Sequence, residues 1–243
     1  MKTQFIKISL WIQIASFLKF NTVIKTLNSF KNIDFFVQVG SHDGEMFDPL
    51  KDFILKNKWY GILIEPQKEM IDKIKFNYRN INNLIFINAA VYHKREKINL
   101  YKVDKIKDYS HTGWASINPN RFDNTIYSKN FVKETVQGIP LMDIIEENKF
   151  KKIDLFQIDT EGYDADILRM FNFDTHRPVI IQYEHVHLSN SQLLSTKKLL
   201  EAKKYLLIKG KNDIMAIKTE RLNLVFFLVY FIIRLKDSFI SRV

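Results

Sequence analysis

Residues 35–66 read FFVQVGSHDGEMFDPLKDFILKNKWYGILIEP, and the parsing of this stretch decides the fold. Phe35–Val39 is an apolar run of strand length, and Tyr60–Ile64 is a second. Between them Asp48-Pro49 marks a helix start, with Asp as N-cap, Pro as the first helical residue, and Leu50, Phe53 and Ile54 on one face. Gly40 and Gly44 bracket the turn that leaves the first strand, where a tight backbone needs them.

The same rhythm continues outward. Pro66 opens a helix carrying Met70, Ile71 and Ile74, and Leu84–Ile87 is the third strand. Residues 153–158 form the fourth, a short helix starts near Asp164, and residues 179–183 form the fifth. Ser189 or Ser191 caps a helix with Leu193, Leu194 and Leu200. Residues 205–208 and 214–217, joined through Gly210 and Asn212-Asp213, read as a hairpin. Strands alternating with helices imply an α/β domain with a mostly parallel sheet covered on both faces; the hairpin adds one antiparallel strand. Residues 102–140 break the rhythm. That stretch carries His111, Trp114, Ser116, Asn118, Arg121 and Tyr127, and its length and aromatic content point to a lid or substrate insertion.

Composition sets the limits. Of 243 residues 46% are hydrophobic and 26% charged, a globular balance. The lack of cysteine excludes a disulfide framework, a thiol nucleophile and a Cys-containing zinc site, and fits a reducing compartment. The net charge of +10 invites a nucleic-acid reading, but it is concentrated at the ends. Residues 1–33 carry +5, residues 218–243 carry +3, and the central 34–217 only +2. No nucleic-acid partner is therefore expected. Residues 5–20 place Leu10, Trp11, Ile14, Phe17 and Leu18 at helical spacing, so 1–33 reads as a basic amphipathic segment. Residues 222–233 are apolar but too short to span a bilayer, so 218–243 reads as a basic apolar helix. Both ends are expected to pack on the 34–217 domain or on a second copy. Peripheral contact with an anionic membrane, from the cytoplasmic side, is the alternative. The oligomeric state stays open.

In open α/β sheets ligands bind beyond the carboxyl ends of the strands. Here the first strand ends in Gly40-Ser41-His42-Asp43-Gly44, whose G-x-x-x-G spacing is neither the dinucleotide fingerprint nor a P-loop. The second ends in Glu65-Pro66, a carboxylate able to accept both hydroxyls of a ribose. The third ends in Asn88-Ala89, polar then small, as an adenine-sized slot requires. Together they suit a nucleoside with a short charged tail better than a pyrophosphate. The fourth strand runs into Asp159, Glu161 and Asp164; the fifth runs into Glu184, His185 and His187. Asp164 reads equally as a helix cap. His185 and His187 share a face if the strand continues. Asp159, Glu184 and a histidine could form a metal site, although no metal is assigned.

The succession VQVGSHDGE, ILIEP, INAAV, IDLFQIDTEGYDADIL and IIQYEH resembles the FkbM-type S-adenosylmethionine-dependent methyltransferases over residues 34–217. Its most specific element is D-x-E-G at Asp159, Glu161 and Gly162. The resemblance implies a seven-stranded Rossmann-like sheet and O-methylation of a hydroxyl on a small molecule or glycan, with S-adenosyl-L-methionine as donor. Gly40, Ser41, Asp43 and Gly44 would hold the methionine end, Glu65 and Pro66 the ribose, and Asn88 and Ala89 the adenine. Asp159 and Glu161 would face the sulfonium and the acceptor. Glu161 or His185 is then expected to be the base, with Asp159 orienting the donor's amino group. A catalytically inactive module that keeps the fold and binds a glycan or protein is the competing expectation.

Overall fold

The structure, a computed structural model, describes residues 23–25, 33–104, 108–123 and 125–221. The amphipathic stretch 5–20 and the apolar run 222–233 lie outside the described residues. No helix among the described residues is long and apolar enough to cross a membrane.

The first strand is β1 (Phe35–Val39), followed by α1 (Lys51–Asn57), β2 (Tyr60–Ile64), α2 (Lys68–Asn77) and β3 (Leu84–Ile87). A second group follows: β4 (Ala90–Val91), β5 (Glu96–Val103), β6 (Phe131–Ile139) and α3 (Leu141–Glu147). Then come β7 (Leu155–Ile158), α4 (Asp164–Met170), β8 (Ile180–Glu184), α5 (Asn190–Ala202), β9 (Tyr205–Lys209) and β10 (Asp213–Lys218). Seven strands form one sheet in the order β3-β2-β1-β7-β8-β10-β9. β10 is antiparallel to both its neighbours and the other pairings are parallel, as the hairpin led us to expect. Strand order reverses between β1 and β7, which makes that junction the natural ligand crevice.

The central strands are buried on both faces, so their alternate residues feed two cores. Val37, Ile62, Phe156 and Ile181 pack under α3, α4 and α5 through Ile144, Leu168 and Leu200. Phe36, Leu63, Leu155 and Ile180 pack against Ile54 of α1 and Ile74 of α2, and Val23 and Ile24 join this side.

Two expectations need correction. α1 begins at Lys51 rather than at Pro49. Leu50, not Asp48, is the N-cap; the Asp48 Oδ1 accepts from Leu50 N at 2.8 Å in the turn before the helix, while Gln38 Nε2 and Tyr78 OH pin the same carboxylate. The 102–140 stretch also contains regular structure: β6 pairs antiparallel with β5 and parallel with β4 in a second, three-stranded sheet. Much of this ribbon is exposed, so its sequence lacks a clean apolar alternation.

Asp154 ties the start of β7 to the start of β1, its Oδ2 accepting from the backbone N–H of Asp34 (3.0 Å) and Phe35 (3.1 Å). Asp154 is buried although its two donors are only partly so; Asp154→Ala removes the acceptor of both, and we expect a loss of about 1–3 kcal/mol. The denaturant midpoint should fall with little change in the m-value; an unchanged midpoint would remove Asp154 from this role.

Candidate functional site

The carboxyl ends of β2, β1 and β7 are laced together around Gly40. Gly40 N and Ser41 N both donate to the Ile64 carbonyl, and Ser41 Oγ reaches it at 3.3 Å. Gly40 has φ +77°, and a Cβ there would lie 1.7 Å from the carbonyl oxygen of Asp159. Only glycine lets β7 approach this closely. A cleft of about 650 Å³ opens above the junction, lined by residues of all three strand ends.

Glu65 sits at its inner wall. The backbone N–H groups of His42 and Gln67 each donate to one of its carboxylate oxygens at 3.0 Å, which leaves lone pairs for further donors. Burial pushes its pKa up to about 7 against the opposing pull of those hydrogen bonds from Gln67 and His42. Ala89, fully buried, lines the same wall with Ala90 and Val91. Gly40, Ser41 and Pro66 also line the cleft.

Three expected ligand contacts do other work. Asp43 and Gly44 are not among the cleft-lining residues. The Asp43 carboxylate accepts from Glu45 N, Met46 N and Tyr109 OH, fastening the turn from behind; against burial, these bonds hold its pKa below the usual carboxylate range. Gly44 (φ +68°) packs on Tyr78, whose ring a Cβ would meet at 2.7 Å. Asn88 does not line the cleft either; its amide donates to the carbonyls of Glu65 and Pro66, bracing that loop.

Carboxylates crowd the opposite wall. Asp159 opens on the cleft floor yet is ringed by protein, and that desolvation, with Asp164, Glu161, Asp213 and Glu65 nearby, holds its pKa well above the ordinary range. Asp164 is structural: its oxygens accept from Thr160 N, Thr160 Oγ1 and Glu184 N. Glu184 faces the cleft, and burial plus Glu161 and Asp159 drive its pKa upward. Glu161 Oε2 meets Arg121 Nε at 2.5 Å and His187 Nε2 at 3.1 Å.

His185 does not belong to this group. β8 ends at Glu184 and the chain then turns, Leu188 N bonding back to the His185 carbonyl, so strand alternation no longer applies. His185 is buried outside the cleft, 3.3 Å from the Gly210 carbonyl, while His187 takes the place at the site. Sequence reasoning gave Arg121 no individual role here, and it weighed His187 only as one of two histidines for a metal site. Arg121 comes from the 102–140 stretch. There 3₁₀ turns at Tyr109–Trp114 and Pro119–Phe122 cover the cleft. Ser116 Oγ bonds the Glu161 carbonyl (2.9 Å), Gln67 Nε2 the Thr112 carbonyl (3.2 Å), and His42 Nε2 contacts Thr112 Oγ1 (2.6 Å).

The family described as "Methyltransferase FkbM domain" matches residues 38–207. No curated protein matches the chain in sequence. Among solved structures, precorrin-6y C5,15-methyltransferase from Geobacter metallireducens is 11% identical, with a TM-score of 0.41 over 84% of this chain and 92% of that one. The N-terminal domain of human METTL16 in complex with SAH is 10% identical, with a TM-score of 0.44 over 80% of this chain and 66% of that one. The Methanococcus jannaschii fibrillarin pre-rRNA processing protein is 11% identical, with a TM-score of 0.40 over 76% of this chain and 66% of that one. These are distant neighbours, and the family match carries the weight.

Glu65 holds its proton more tightly folded, near pH 7, than unfolded, near 4.5. Its contribution to stability is therefore full below pH 4.5 and lost as pH rises through about 7. The ligand-free protein should lose about 3 kcal/mol from this group between pH 4.5 and 8. Glu65→Gln, neutral throughout, should flatten that slope in unfolding curves; parallel curves for the two proteins would refute it.

Proposed function

The chain belongs to the methyltransferase FkbM domain family and uses S-adenosylmethionine as methyl donor, and on that premise we propose that it O-methylates a hydroxyl of a sugar, glycan or small metabolite. The residues present fit the donor. Glu65 keeps acceptor capacity for a ribose diol after its two backbone bonds. The small, apolar Ala89, Ala90 and Val91 make room beside it for a flat base. The carboxylate-rich opposite wall complements the donor's positive charge. When bound, the donor supplies a methyl group activated by a cationic sulfur.

A single observation supports the acceptor reading. Asp159 opens on the cleft floor beside Glu161, and both lie under the covering segment that brings Arg121 and Trp114. A hydroxyl keeps its proton at neutral pH, so it needs a base at the moment of attack. Glu161 Oε2 already accepts from Arg121 and lies 3.1 Å from His187 Nε2, which fixes its direction. Asp159 is the freer carboxylate, and we assign it the hydroxyl proton. Glu161 holds the segment that shapes the acceptor space. The Trp114 ring on the cleft wall, with the Arg121 guanidinium 4.9 Å from its centroid, offers a flat face of the kind a sugar ring packs on. A polyanion is disfavoured, because Asp159, Glu161, Glu184 and Asp213 all line the cleft. Alignment inside such a cleft contributes as much as proton removal, up to ~7–11 kcal/mol of barrier.

The test is incubation with radiolabelled S-adenosylmethionine and a panel of glycosides, hydroxylated metabolites and an RNA control. Label should appear on a hydroxyl oxygen; label on RNA or on nitrogen alone would overturn the acceptor class. Glu65→Ala should weaken donor binding by roughly 10–100-fold in calorimetry. Asp159→Asn should lower turnover by ~10²–10⁴-fold, and near-normal turnover would move the base elsewhere.

A further inference from the structure

We propose that Glu161, Glu184 and His187 form a divalent-cation site at the acceptor side of the cleft, a proposal that rests on the methyltransferase reading and extends it. Glu161 lies in the turn after β7, Glu184 is the last residue of β8, and His187 follows in the turn after it. Each offers one ligand atom, and these atoms lie within 4.8 Å of one another. His187 Nε2 is 3.1 Å from Glu161 Oε2 and 3.8 Å from Glu184 Oε2. Donors bound at about 2.0–2.2 Å to one ion sit roughly 3.0–3.5 Å apart, so a small inward movement of Glu184 completes the set.

An independent observation comes from Glu184 itself. Its Oε2 is sealed from solvent, and among the described residues no hydrogen-bond donor reaches it. A buried carboxylate oxygen without a donor is costly, and its neighbours Glu161, Asp159, Asp164 and Asp213 make the place worse for an anion. Arg121 does not relieve it, because that guanidinium is spent on Glu161. A cation between the three side chains relieves both defects at once. Two carboxylates and an imidazole suit a first-row divalent ion such as Mn²⁺ or Zn²⁺ better than Mg²⁺, which prefers oxygen alone. All three residues line the cleft, so remaining coordination positions are within reach of an acceptor. The chemistry selects an acceptor with two adjacent oxygens, such as a vicinal diol, one of which receives the methyl group. The ion binds the oxygen pair and sets which hydroxyl faces the donor.

The experiment titrates the chelator-treated full chain with MnCl₂, following free Mn²⁺ by electron paramagnetic resonance, with ZnCl₂ competition as a second arm. One site per chain is expected, weakened at least 10-fold in both Glu184→Gln and His187→Ala. His187 is partly exposed, so its variant should fold even where the buried Glu184 variant does not; circular dichroism checks both. Absence of Mn²⁺ or Zn²⁺ binding at millimolar concentration, or binding that survives His187→Ala in a folded protein, overturns the site. Binding of S-adenosylmethionine to the same protein, with and without added metal, is measured alongside. A protein that binds S-adenosylmethionine but neither Mn²⁺ nor Zn²⁺ rejects the cation site alone, whereas one that binds no S-adenosylmethionine with or without added metal rejects the methyltransferase reading beneath it.

Discussion

The contact on which the rest depends is the one between Gly40 and the Asp159 carbonyl. β1 and β7 are neighbours in a parallel sheet, but the chain leaves them in opposite directions, toward α1 and toward α4. A crevice opens where they diverge, and its depth is set by how closely the first turn can pass the end of β7. With Gly40 in the left-handed region and no Cβ, the backbones nearly touch. The Ile64 carbonyl then accepts two amides from the same turn and locks β2 into the junction. Glu65 and Asp159 thereby reach opposite walls of one cleft from strands that are not adjacent.

The second sheet has a positional role in this arrangement. Tyr101 of β5 and Ser116 exchange backbone hydrogen bonds at 2.8 and 2.9 Å, and Ser116 Oγ continues to the Glu161 carbonyl. An unbroken set of polar contacts thus runs from the β5–β6 ribbon to the turn after β7. On the other flank, His42 and Gln67 hold Thr112. The covering segment is fastened to both walls of the cleft that it closes, and its Arg121 lies against a carboxylate that it partly neutralises. A lid attached this way defines the acceptor space by its side chains.

What could be read from sequence follows from which signals are local. The strands of the main sheet are buried on both faces, so Phe35–Val39, Tyr60–Ile64 and Leu155–Ile158 stand out as apolar runs whatever surrounds them. The β5–β6 ribbon has only a thin buried stripe, Leu100 and Val103 on one strand and Val136 and Gly138 on the other, and no pattern marked it. The strand-end residues were legible as a set because chain order placed them there. Their individual aims were not. Asp43 and Asn88 turned out to brace the loops, since short polar side chains at turns bond the nearest backbone groups. His185 and His187 could not be separated without knowing that β8 stops at Glu184. Arg121 lies 40 residues from Glu161, and that distance leaves no trace in a linear pattern.

Two backbone conformations show how the site is held against its own preferences. His42 and Glu161, neither a glycine, adopt φ of +47° and +56°. Such conformations cost of order 1 kcal/mol or more and persist only where other contacts fix them. At a plain connection glycine would remove the cost, and Gly40, Gly44 and Gly162 do so beside them. At both positions the side chain reaches the opposite structure: His42 to Thr112, Glu161 to Arg121 and His187. His42 also presents its backbone N–H to Glu65 from this conformation. Glycine at either position would ease the backbone but detach the cover from one wall, so the strain is tied to closing the cleft. The crowded carboxylates obey the same logic, because the repulsion stored in the free protein is relieved when positive charge enters the cleft.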